Sequence, residues 1–182
     1  CLVGSEMCIR DRDGIFVTDV QEIDGEIWHT VEAPLEPGKT VVGKLDFEKR
    51  FSNMQNHCGE HIVSGIVHRI YGFNNVGFHM GSDVITVDFD GVLTEEQLYD
   101  VEQEANEAVL RNVPVTISYP SKEELETMDY RSKKEIEGQV RIVTIEGCDS
   151  CACCGTHVAK TGEIRLIKIL SLIHISEPRD MR

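Results

Sequence analysis

Two sets of metal-binding side chains, far apart in sequence, constrain the fold of this chain more than any other feature. His57 and His61 stand four residues apart, and about ninety residues later a cysteine-rich stretch ends in His157. If one ion takes ligands from both, the fold must bring the later segment back onto the first pair. Histidines four apart on a helix share a face, about 40° apart around the axis and about 6 Å along it. Alone, that pair is weak, because the same spacing occurs on ordinary helix surfaces. Cys148, Cys151, Cys153 and Cys154 crowd together, too closely for a disulfide framework but well placed for a metal. Cys153 repeats the four-residue spacing to His157, and Gly155 permits a tight turn between them. Three imidazoles and one thiolate make a borderline-soft donor set that suits zinc. The crowding leaves Cys154 open as a substitute for Cys153. A site of four cysteines would leave both helical histidines idle, so one cysteine plus His157 is preferred. His68 is about 16 Å along the helix from His57, too far to share an ion, and His29 and His79 have no partner at ligand spacing.

Local patterns place these residues. GIFVTDV, EIWHTVE and TVVGKLDF read as strands, rich in β-branched and aromatic residues and separated by Asp24-Gly25 and Pro37-Gly38 turns. Asp46 can cap a helix whose apolar stripe is Met54, Ile62, Val63, Ile66, Val67 and Ile70, ended by Gly72. VITVDFD is a strand. Thr94 and Gln97 form a capping box for a helix burying Leu98, Val101, Ala105, Ala108 and Val109 and closed by Asn112. VPVTISYP is a strand, Ser121 and Glu124 cap a short helix, and the charged run from Glu126 to Gly138 reads as a solvated loop. RIVTIE and EIRLIKIL read as strands flanking the cysteine loop. The order predicts an α+β fold with helices interspersed among the strands of one sheet.

The chain carries 32 acids against 18 bases, a net charge of −14. That argues against a general nucleic-acid binder, which presents a basic face, so any RNA contact must come from a local cluster or from parts outside this chain. No apolar run reaches the roughly 18–20 residues of a membrane helix, and no secretory signal is visible, so a cytoplasmic location is expected. The ends, CLVGSEMCIRDR (1–12) and SLIHISEPRDMR (171–182), resemble sequencing-adaptor sequence translated in frame. They are expected to lie outside the fold, leaving Cys1, Cys8, His174 and Arg182 without a role and the gene cut at both ends.

At MQNHCGEHIVSG and CCGTHVAKTGEI the chain resembles the alanyl-tRNA editing proteins and the matching domain of alanyl-tRNA synthetase. The flanking GKLDFEKRF and TGEI match as well, and the resemblance spans roughly residues 13–170. It selects Cys153, and implies that His57, His61, Cys153 and His157 hold Zn2+. It implies a partial small β-barrel over 13–50 and a zinc-binding editing domain, an antiparallel sheet packed on helices, over 51–170. The implied activity is ATP-independent hydrolysis, in trans, of alanine tRNA mischarged with serine or glycine. Gln55, Glu60 and Thr156, inside the two motifs, are the candidate catalytic helpers; Glu60 could serve as base or as a partner of a ligand. Four protein ligands fill a tetrahedron, so catalysis needs a fifth position or ligand exchange. Cys58 departs from the threonine or serine usual after the first histidine, and the family's glycine-rich motif is not found here. Two rivals stand beside this reading. HCGEH also fits the HxxEH pattern of inverted zinc metallopeptidases, and a non-enzymatic zinc-stabilised RNA-binding module fits a fully ligated ion.

Overall fold

The computed structural model describes residues 8–81, 84–132 and 138–170. The first unit is a four-stranded antiparallel sheet of β1 (Ile9–Arg12), β2 (Ile15–Ile23), β3 (Glu26–Val31) and β4 (Gly43–Leu45), in the order β3-β2-β1-β4. Two hairpins build it. Asp13 and Gly14 both have positive φ (51° and 83°), as do Asp24 and Gly25 (53° and 80°). That left-handed pair matches the strand twist and favours Asp-Gly. The first hairpin draws Ile9–Arg12 into the sheet, so this part of the segment expected to stand outside the fold is paired. Asp11 is buried there and accepts from Gly14 N at 3.1 Å. Residues 1–7 and 171–182, with Cys1, His174 and Arg182, lie outside the described residues.

Helix α1 (Phe47–Tyr71) follows its expected signals. The Asp46 side chain accepts from Lys49 N at 3.0 Å, and Gly72, at φ 73°, closes the helix by bonding to His68 O. The hairpin β5 (Asn75–Met80) and β6 (Ile85–Phe89) leads to α2 (Glu95–Arg111). Both bonds of the Thr94–Gln97 capping box form, and Asn112 ends α2 in the left-handed region. Strand β7 (Val115–Ser118) precedes α3 (Lys122–Thr127), capped by Ser121 and Glu124. Strands β8 (Ile142–Ile145) and β9 (Asp149–Ala152) complete an antiparallel β7-β8-β9 sheet.

The core lies where α1 crosses α2. Ile62, Ile66 and Val67 pack against Val101, Ala105, Ala108 and Val109, with Ile145 of β8 closing the cluster. Small residues on α2 let the larger α1 side chains interlock, each buried isoleucine worth roughly 1.5–3 kcal/mol.

Three expectations need correction. The strands form three sheets among the described residues, not one. At the start of β7, Val115 N bonds to Ala159 O and Pro114 bridges Lys160, while the β5–β6 hairpin is a separate two-stranded sheet. EIRLIKIL is not a strand: a 3-10 turn over Thr161–Ile164 leads into irregular chain. Its backbone finds side chains of α2 instead, Ile167 N on Asn106 Oδ1 at 3.0 Å and Ile169 N on Glu102 Oε2 at 2.6 Å. The charged run after Glu126 is not wholly solvated, because Arg131 docks on β9 with its side chain only 12% exposed.

Candidate metal centre

The long α1 carries His57 and His61 on one face, and the chain leaving β9 returns Cys153 and His157 to them. One ligand atom from each of the four lies within 4.8 Å of the others. The three imidazoles crowd together, with ring centroids 4.4 Å apart for His57–His157, 4.8 Å for His61–His157 and 5.1 Å for His57–His61. Cys153 Sγ lies 3.4 Å from His57 Nε2.

Two glycines permit the approach. At Gly65 on α1 a Cβ would strike the Cys148 carbonyl and the Asp149 side chain, so the bare backbone lets β9 close on the helix beside His61. At Gly155 a Cβ would collide with the His57 ring. This close approach, more than a turn, is why glycine is needed there. Arg141 secures the segment: its Nη1 donates to Cys153 O at 2.6 Å and to Gly155 O at 3.0 Å.

The electrostatics match the donor roles. Burial alone would raise the Cys153 thiol, but the surrounding imidazoles of His157, His57 and His61 pull it down to about 3. Burial lowers the pKa of His157 despite the pull of Cys153, keeping it neutral. A thiolate and a neutral imidazole are the forms that bind metal. Burial works to lower His61 too, but the Asp149 hydrogen bond and Cys153 raise it to about 9, so an entering ion would displace a proton there. By contrast, burial drives the Cys58 and Cys151 thiols up to about 12. Both ring nitrogens of His157 are buried and make no hydrogen bond among the described residues. Buried polar atoms left this way are costly, and a divalent ion would satisfy the ligating one. The donor set therefore fits zinc.

The candidate helpers are placed differently. Gln55 Nε2 donates to Glu163 O at 2.6 Å, tying the helix to the turn after His157. The Thr156 carbonyl stands 3.3 Å from His57 Nδ1, leaving Nε2 of that ring for the cluster. Glu60 is buried, and its Oε1 accepts from Ser64 Oγ at 2.7 Å and Asn75 Nδ2 at 2.5 Å. Cys154 is exposed and outside the cluster, while His68 and His79 are exposed. His29 Nδ1 accepts from Arg12 Nε in the N-terminal sheet.

Sequence reasoning missed Asp149, whose Oδ2 lies 2.8 Å from His61 Nδ1, and Arg131, which clasps that carboxylate. A metal-binding histidine usually gives its other nitrogen to a carboxylate or carbonyl. An acid four residues before Cys153 was therefore a findable partner; nothing local marks Arg131.

Residues 140–181 match the family model described as the threonyl and alanyl tRNA synthetase second additional domain. The chain is 37% identical over 146 residues to alanyl-tRNA editing protein Aarsd1-A of Xenopus laevis, covering 78% of this chain and 35% of that protein. It is 33% identical over 174 residues to alanyl-tRNA editing protein AlaX-L of Pyrococcus horikoshii, covering 92% and 43% respectively. It is 34% identical over 171 residues to an alanine–tRNA ligase of Methanothrix thermoacetophila, covering 89% of this chain and 19% of the ligase. The chain thus spans about a third of the length of the first relative. Cys153 and His157 lie inside residues 140–181, and over most of its length the chain is similar to alanyl-tRNA editing proteins.

Proposed function

We propose that this chain carries a proofreading hydrolase site that cleaves the ester of alanine tRNA wrongly charged with serine or glycine. The observation that carries the reading is the convergence of His57, His61, Cys153 and His157 in a chain whose relatives are named alanyl-tRNA editing proteins. The need for such a site is physical. A synthetase pocket for a small side chain discriminates poorly against analogues differing by one group, so a second, hydrolytic site follows.

These four residues would hold Zn2+, which when bound polarises an ester carbonyl or lowers the pKa of a water towards roughly 7. Gln55 and Thr156 lie inside the two motifs and are the proposed contacts to substrate. Glu60 is assigned a positioning role, because its carboxylate is engaged by Ser64 and Asn75 inside the core. The same engagement weighs against an HxxEH peptidase, which needs that glutamate as base. In this reading the sheet over residues 9–45 is part of a small β-barrel beside an editing unit over 51–170, acting in the cytoplasm. No helix among the described residues is long and apolar enough to cross a membrane. With a net charge of −14, the tRNA partner must be gripped through a local cluster or by parts of a longer protein.

The test is hydrolysis of serine-charged alanine tRNA beside correctly charged tRNA, with and without a chelator. Loss of serine alone, abolished by chelation, is expected. A folded, zinc-loaded chain that leaves the serine ester intact overturns the enzyme reading and favours a zinc-stabilised RNA-binding module.

A further inference from the structure

We propose that Arg131 and Asp149 are positioning residues for the metal: together they hold His61 in one orientation and keep a competing donor set from taking the ion. The inference rests on the metal reading above.

The geometry is a relay of three side chains. Asp149 Oδ2 meets His61 Nδ1 at 2.8 Å, with both side chains at most 3% exposed. Committing Nδ1 in this way leaves Nε2 as the nitrogen free for the cluster. Arg131 then grips the same carboxylate at both oxygens, Nε to Oδ1 at 2.7 Å and Nη2 to Oδ2 at 2.8 Å. Two parallel bonds of this kind fix orientation as well as charge. The arginine is itself anchored by backbone, its N–H bonding to Ser150 O and its carbonyl accepting from Ala152 N, both at 2.8 Å.

A buried ion pair alone could be purely structural. What gives this one a further role is a second donor group sharing the histidine. His61, Asp149 and Cys151 also place one ligand atom each within 4.8 Å of one another. His61 therefore stands between two possible sites. The guanidinium and the imidazole together occupy Asp149, so the carboxylate serves them and the ion is left to the four-residue set.

Cobalt(II) titration of the full chain tests this, with affinity read by chelator competition, coordination by the visible spectrum and folding by circular dichroism. Wild type should bind one cobalt with a tetrahedral, thiolate-containing spectrum. Asp149→Ala should weaken binding about 10- to 100-fold, and Asp149→Asn less, since its Oδ1 can still accept from Nδ1–H. Arg131→Met should both weaken binding and alter the spectrum as the freed carboxylate competes. If folded Asp149→Ala and Arg131→Met bind cobalt with wild-type affinity and spectrum, the inference is overturned while the metal reading stands. Should Asp149→Ala fail to fold, Asp149→Asn and Arg131→Met decide by the same readouts. A wild-type chain that takes up no cobalt overturns the metal reading, and the inference with it.

Discussion

Replacing Gly155 with alanine adds one methyl group where the structure has none to spare. The new Cβ would overlap the His57 ring, and that ring cannot step aside freely. It stacks on His157 at 4.4 Å and on Phe78 at 5.8 Å, with His61 edge-on at 5.1 Å. Either the ring moves, taking its Nε2 off the cluster, or the segment moves, taking Cys153 and His157 with it. Both outcomes separate the donors. Forcing an extra carbon into a packed site costs about 1–3 kcal/mol, against a gain of roughly 0.4–1 kcal/mol from a stiffer unfolded chain. If the loss falls on metal binding, zinc affinity drops about 5- to 150-fold. Competition against a chromophoric chelator measures it. A Gly155→Ala chain with wild-type zinc affinity would refute the argument that this contact sets the donor geometry.

Other perturbations test the frame that carries the site. Thr161 is fully buried, donates to Ala108 O at 2.8 Å and accepts from Val113 N at 3.0 Å. Thr161→Val strands that N–H and should cost about 1–3 kcal/mol in urea unfolding; an unchanged midpoint would contradict it. Glu102 is nearly buried on α2, and burial alone would raise its pKa, but Lys168 and Ile169 N hold it below its ordinary value. Its stabilisation is therefore present above the unfolded value of roughly 4.3 and fades as pH falls through the lower folded value. Glu102→Gln should accordingly be less stable than wild type at pH 7, with the gap narrowing as pH falls below the unfolded value of roughly 4.3. A gap that stays constant across that range would count against the pairing.

Much of this was legible because the signals were local. Asp46 and Gly72 bound α1, and the Thr94–Gln97 and Ser121–Glu124 boxes open α2 and α3, because caps satisfy backbone groups within a few residues. The spacings of His57 to His61 and of the cysteine loop to His157 pointed to two groups that the fold brings together, while the choice of Cys153 over Cys154 came from the resemblance alone. What escaped depends on contacts distant in sequence. EIRLIKIL has strand composition, yet Asn106 and Glu102 of α2 capture its backbone first. Arg131 sits in a charged run like any solvated arginine, and only the fold shows Asp149 waiting for it. The Asp13-Gly14 turn borders the adaptor-like segment, and only the pairing of Arg12 with Ile15 shows that it closes a hairpin.

Elemental analysis of the purified chain asks whether one ion is held jointly by the His57/His61 helix and the Cys153/His157 segment about ninety residues later. One zinc per wild-type chain is expected, with a marked loss in Cys153→Ala, a change that would leave the zinc of an HxxEH peptidase in place. Zinc at full stoichiometry in Cys153→Ala, or no zinc in a folded wild-type chain, would overturn that shared site.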